Sequence, residues 1–118
     1  MDGAGVGGRT RLDNSTGLDA LQVTEACAQS LAVILGQALR ERGGPAASGM
    51  LVGLKQARLI RRLRPGERLE VSAQRSYELG AFHLYQVAVT DDAGALVFSG
   101  EYKTVSQAVA QDGQELPA

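Results

Sequence analysis

Residues 18–42 read LDALQVTEACAQSLAVILGQALRER, a run with no proline and a single interior glycine, Gly36. No other stretch of the chain is long and regular enough for a substantial helix, so the fold has to be arranged around this one. At ~100° per residue, Val23, Cys27, Ile34, Leu31, Leu35, Ala28, Leu21 and Ala32 spread over roughly half the circumference. A helix this apolar needs cover on most sides. Glu25 falls at the border of the apolar arc, between Ala32 and Leu18. Gln29 lies one turn further on the same side. Asn14, Ser15 and Thr16 are candidate N-caps, because their side-chain oxygens can accept the free N–H groups of a first turn. Asp19 is well placed for the helix dipole. Gly43-Gly44-Pro45 is a strong stop signal.

The rest reads as strands and tight turns. Residues 1–16 are rich in glycine and polar residues and read as poorly structured, or as a short strand near 6–12. Residues 50–63 form a long strand with room for a bend. Arg64-Pro65-Gly66-Glu67 is a turn, with proline fixing one φ and glycine freeing the next. Residues 68–79 place Leu69, Val71 and Ala73 on one face. Residues 81–90 are apolar on both faces, as a central strand should be. Asp91-Asp92-Ala93-Gly94 is a hairpin loop, 95–105 is the last strand, and 107–118 is a polar tail.

The order is a weak strand, a long apolar helix and about four strands in an antiparallel meander. A sheet that curls round one buried helix solves the burial problem for both. This is the α+β hot-dog architecture, expected here as a single domain over 1–118. Its exposed sheet edges invite pairing between protomers, so a dimer or an assembly of dimers is expected.

Composition narrows the function. The net charge of -1 gives no global attraction to nucleic acid or to an acidic membrane. With no Trp, base stacking on an aromatic platform is disfavoured. One Cys and one His leave no zinc-type cluster, and no disulfide can form within the chain. The start has no apolar run of the secretory kind, and no run approaches the ~20 apolar residues of a membrane span. The expectation is a cytoplasmic protein with no metal and no cofactor.

Three stretches resemble a known family. EACAQSLA, from Glu25 to Ala32, is similar to the E-x-x-A-Q segment on the central helix of the β-hydroxyacyl-(acyl-carrier-protein) dehydratases. GMLVGLKQARLIRRLRPGERLEV resembles their next strand–turn–strand, and YELGAFHLYQVAVTDDAGALVFSGEYKTV their remaining hairpins. The aryl-polyene-type subfamily is the most similar, at Gly49-Met50, Gly53-Leu54-Lys55 and Gly80-Ala81-Phe82. The resemblance implies loss of water from a 3-hydroxyacyl thioester of acyl carrier protein or coenzyme A. That reaction needs a base for the C2 proton and an acid for the leaving hydroxyl. In the family these are a histidine from an N-terminal segment and the helix carboxylate, contributed across the dimer. Glu25 matches the carboxylate, and Gln29 the glutamine that steadies it or the loop. A carboxyl at the edge of an apolar face, in a pocket for an acyl chain, is desolvated and can hold or pass a proton near neutral pH.

The sequence departs from the family at the histidine. None precedes Glu25, and by offset its place falls near Arg11 or Leu12. The one histidine, His83, reads as a strand residue on the sheet surface or edge; its functional alternative is a substitute base. Three readings follow: a dehydratase or dehydratase-like acyl-thioester-binding protein, an acyl thioesterase, or a non-catalytic subunit paired with an active sister dehydratase. The partners expected are a thioester on carrier protein or coenzyme A, and a second subunit, identical or not. The cluster Arg58, Arg61, Arg62 and Arg64, with Arg68, is either a solvated strand end or a landing patch for an acidic carrier or pantetheine phosphates. Cys27 reads as a buried small hydrophobe. Gly5, Gly7 and Gly8 precede the helix without an apolar strand or a Lys-Ser/Thr ending, so no phosphate loop is read there.

Overall fold

The computed structural model describes residues 7–41 and 47–108. Along the chain it has β1 (Gly7–Leu12), α1 (Ala20–Glu41), β2 (Ala47–Leu59), β3 (Leu69–Leu79), β4 (Phe82–Asp91) and β5 (Leu96–Ala108). The strands form one antiparallel sheet in the order β1-β3-β4-β5-β2. The helix packs on one face of this sheet, as the hot-dog reading requires. The connectivity is less simple than a meander, which holds only for β3–β4–β5. Because α1 spans the sheet between β1 and β2, it delivers the chain to the far edge, and β3 then returns beside β1. The stop signal Gly43-Gly44-Pro45 and Gly5 lie outside the described residues, as does most of the expected tail, although β5 extends to Ala108.

The N-cap is Asp19, not Asn14, Ser15 or Thr16. Its Oδ1 accepts the Gln22 N–H at 2.8 Å, and Gln22 Oε1 accepts the Asp19 N–H at 3.0 Å. This reciprocal pair satisfies two groups that the first turn leaves free. Asn14 instead locks the loop before the helix to the 64–67 turn. Its Nδ2 donates to the Arg64 carbonyl at 2.8 Å, and its Oδ1 accepts from the Leu18 N–H at 3.1 Å. The Asn14 carbonyl accepts from Gly66 N at 2.8 Å.

The core is the stripe Val23, Cys27, Leu31 and Ile34 of α1, laid on Val71, Val87, Val89, Phe98 and Tyr102 of the sheet. Full burial of each large apolar side chain stabilises by about 1.5–3 kcal/mol. The Tyr102 hydroxyl, buried with its ring, donates to the Thr24 carbonyl at 2.9 Å and pins the helix to β5. Gly7 allows β1 to approach β3, since a side chain there would collide with the Ala73 carbonyl. A two-residue turn joins β3 to β4 with Gly80 at φ 60°, the first-position glycine that such hairpins need. The expected bend in β2 takes the form of two register shifts, at 51/53 and 55/58, the second carrying Gln56 at φ 57°.

Candidate functional site

The packing fixes the phase of α1. With Val23, Cys27 and Ile34 turned to the sheet, a residue two positions from both Val23 and Cys27 lies about 200° round the helix. That residue is Glu25, and it faces solvent, as does Gln29 one turn on. Around them the helix is apolar and uncovered: Leu21 is 68 % exposed and Val33 49 %, and Ala32 is exposed too. Neither Glu25 nor Gln29 has a hydrogen-bond or ion-pair partner among the described residues. The apolar half-circumference read from the sequence is therefore used twice. One stripe meets the sheet, and the other, with Glu25 and Gln29, is left open. The desolvation expected at Glu25 is not supplied by the described residues.

His83 is not at the surface or edge of the sheet. It is 8 % exposed and lies on the inner face of β4, beside Tyr85 at a ring distance of 6.2 Å. Arg75 Nη1 stands 3.3 Å from His83 Nδ1. A guanidinium has only donors, so Nδ1 accepts and the ring proton sits on Nε2. Burial pulls the His83 pKa below its ordinary value, Arg75 adds to this, and Glu78 opposes it. Arg75 also meets Glu78 at 3.5 Å. Arg75 follows the inward alternation of Leu69, Val71 and Ala73, and the register shift between Arg75 and Tyr77 turns Glu78 to the same face. Strict strand alternation signals the inward Arg75 and His83 but not Glu78, and sequence reasoning missed the cluster. His83 and Glu25 are not brought together within one chain, because one lies on the inner face of the sheet and the other on the far side of the helix.

Cys27 lies in the core beside Tyr102, and burial pushes its thiol up to about 12. It is a packing residue and no nucleophile at neutral pH. The arginine cluster separates into two kinds. Arg61 holds Glu67 through two bonds, at 2.8 and 3.0 Å, and Asp91 at 3.0 Å. Glu67 also accepts the Arg64 backbone N–H at 2.6 Å, and its carboxyl falls to about 2, chiefly through Arg61. Arg61 thus ties the 64–67 turn to the end of β4 and is not free for a ligand. Arg58, Arg62, Arg64 and Arg68 are exposed.

Among the described residues no three of His, Cys, Asp and Glu gather to hold a metal. No described helix is long and apolar enough to cross a membrane.

Comparison with known proteins adds to this geometry. Sequence comparison with curated proteins gives no match. Solved structures share the fold. The dehydratase heterocomplex ApeI:P from Xenorhabdus doucetiae aligns at a TM-score of 0.70 and 16 % identity, over 90 % of this chain and 77 % of that one. A thioesterase from Haemophilus influenzae aligns at 0.65 and 12 %, over 92 % and 75 %. A hypothetical thioesterase with coenzyme A from Streptococcus pneumoniae aligns at 0.61 and 10 %, over 78 % and 68 %. A family model for ApeP-like proteins, described as ApeP dehydratase, matches residues 6–115.

Proposed function

Since the chain belongs to the ApeP-like dehydratase family, we propose that it takes part in removing water from a 3-hydroxyacyl thioester, with Glu25 as the acid/base carboxylate. The observation that carries this reading is the open side of α1. It presents one carboxylate and one carboxamide, a turn apart, within an apolar surface that the described residues leave uncovered. A thioester needs that combination: an apolar wall for the acyl chain and a proton-transfer group beside C2 and C3.

A second subunit completes the site. It covers Leu21 and Val33, excludes water from Glu25, and supplies the second proton-transfer group. His83 is a poor choice for that group in its own chain, because Arg75 occupies Nδ1 and Nε2 carries a proton. The fold's occurrence in a dehydratase heterocomplex supports an unlike partner. In the elimination, one group takes the C2 proton while the other protonates the C3 hydroxyl as it leaves. Gln29, one turn from Glu25, orients the carboxylate or the thioester carbonyl. The thioester is carried on acyl carrier protein or coenzyme A, and Arg58, Arg62 and Arg64 are the exposed cations available to its acidic or phosphate groups.

The thioesterases of the same fold favour a second reading, in which Glu25 activates water on the thioester carbonyl. The two separate in one assay. The protein, with and without an added dehydratase subunit, is given a 3-hydroxyacyl thioester, and enoyl absorbance and free thiol are followed together. Enoyl without thiol supports elimination, and thiol without enoyl supports hydrolysis. Replacing Arg58, Arg62 and Arg64 by neutral residues should raise the KM for carrier-linked substrate and leave that for a small thioester unchanged. An equal effect on both would remove the patch from the account.

A further inference from the structure

The face of the sheet turned away from α1 is mostly polar, carrying Ser72, Gln86, Thr90 and Ser99. One corner, by the β3–β4 turn, is not. Tyr77, Leu79 and Phe82 are 53, 62 and 46 % exposed there. In sequence, apolar residues alternate through 69, 71, 73, 77 and 79, and an unbroken strand would turn all of them to α1. The register shift after Arg75 instead sends Tyr77 and Leu79 outward, where they pair with Leu84 and Phe82. A second shift, at 51/53 in β2, lies on the same row, which crosses four strands as Tyr77–Leu84–Lys103–Gly53. Gly53 contributes no side chain, so the row opens into a trough of about 350 Å³.

Lys55 and Lys103, both exposed, line it, with Lys103 Nζ 5.3 Å from the centre of the Phe82 ring. Neither ammonium is in an ion pair with a described residue. Glu101 also lines the trough, and its carboxylate accepts from Gln86 Nε2 at 3.1 Å. We propose that this trough is a second binding site, for an unbranched acyl chain with an anionic head. The volume falls at the lower end of the ~300–1,000 Å³ usual for small-ligand sites. The walls are apolar and aromatic, and the two lysines act as point charges on a carboxylate or phosphate. The site is on the opposite side of the sheet from α1 and does not depend on the reading of Glu25.

The test is calorimetric titration of the full chain with hexanoate, octanoate, decanoate, decanol and octanoyl coenzyme A. One site per chain is expected, with affinity rising about three- to fourfold per methylene. A Cβ at Gly53 would meet Lys103 carbons at 3.7 and 3.8 Å, ordinary contact, so Gly53→Leu should fold while filling the trough. It should lower decanoate affinity at least tenfold. Joint replacement of Lys55 and Lys103 by Ala should weaken decanoate and leave decanol unchanged. Octanoyl coenzyme A binding more tightly than octanoate would identify the phosphate-bearing source, and the reverse the free acid. Undiminished decanoate binding by folded Gly53→Leu would overturn the proposal. So would absence of binding together with a smaller assembly for Leu79→Asp, which would make the corner a contact between copies. Glu25→Gln should keep this binding while losing turnover, so the two readings can fail separately.

Discussion

Replacing Asn14 by Ala tests how the start of α1, and with it the position of Glu25, is held. Asn14 is 4 % exposed. The substitution removes the bond to the Arg64 carbonyl at 2.8 Å and the bond from Leu18 N at 3.1 Å. A longer contact to the Glu67 carbonyl, at 3.5 Å, adds little. The backbone bonds from Gly66 and Gly17 to the Asn14 carbonyl survive. Two neutral hydrogen bonds contribute about 0.5–1.5 kcal/mol each, and a partly buried N–H and C=O left unpaired raise the cost. The sum is a destabilisation of about 2–3 kcal/mol. In urea this lowers the midpoint by about 1–2 M with the slope unchanged, measured at one fixed protein concentration, since association of chains is linked to folding wherever it occurs. Asp13→Ala removes only an exposed bond from Ser15 N, at 3.1 Å, and should cost no more than about 0.5 kcal/mol. If Asn14→Ala stayed within that margin, or the two variants cost the same, the reasoning would be refuted.

Three further outcomes are expected. The Glu67 carboxyl lies at about 2 against an ordinary 4.5. Its stabilisation is complete above the ordinary value and disappears as pH falls toward 2; Arg61→Leu should flatten that acid slope in urea midpoints. His83 has a pKa below the ordinary 6.5, so its contribution is present above that value and is lost as pH falls beneath it. His83→Gln should remove this slope, and a tautomer carrying its proton on Nδ1 in nitrogen NMR would contradict the Arg75 assignment. Cys27, pushed up to about 12, should react with a thiol reagent only on unfolding; rapid labelling of the native protein would contradict its burial.

Much of this fold was legible because its signals are local. The 3.6-residue periodicity of 18–42, the Pro-Gly turn at 65–66 and the Asp91–Gly94 hairpin each declare themselves within a few residues. The N-cap was misassigned because Asn14, Ser15 and Thr16 are all good caps, and only the partner Gln22 selects Asp19. The strand order could not be read, because it depends on which edge α1 delivers the chain to. The bulge after Arg75 was hidden by an alternation that continues through it, and so the inward Glu78, beside Arg75 and His83, and the outward Tyr77 and Leu79 were missed. At the candidate site the motif placed Glu25 and Gln29 on one side of the helix, and the structure has them there. Their exposure was not legible, since it depends on which stripe of α1 the sheet takes. Arg61 looked like its neighbours until Glu67 and Asp91, distant in sequence, came within its reach.

The most direct measurement is turnover of a 3-hydroxyacyl thioester by wild type and Glu25→Gln, each with an added dehydratase subunit, following enoyl absorbance and free thiol. The substitution keeps the size of an exposed side chain and removes only the titrating oxygen, so folding and assembly should be unchanged. The account predicts enoyl without thiol from the wild type, and loss of turnover by at least a hundredfold in the variant, the scale of one general acid–base group. Full activity of Glu25→Gln in an intact assembly would contradict it.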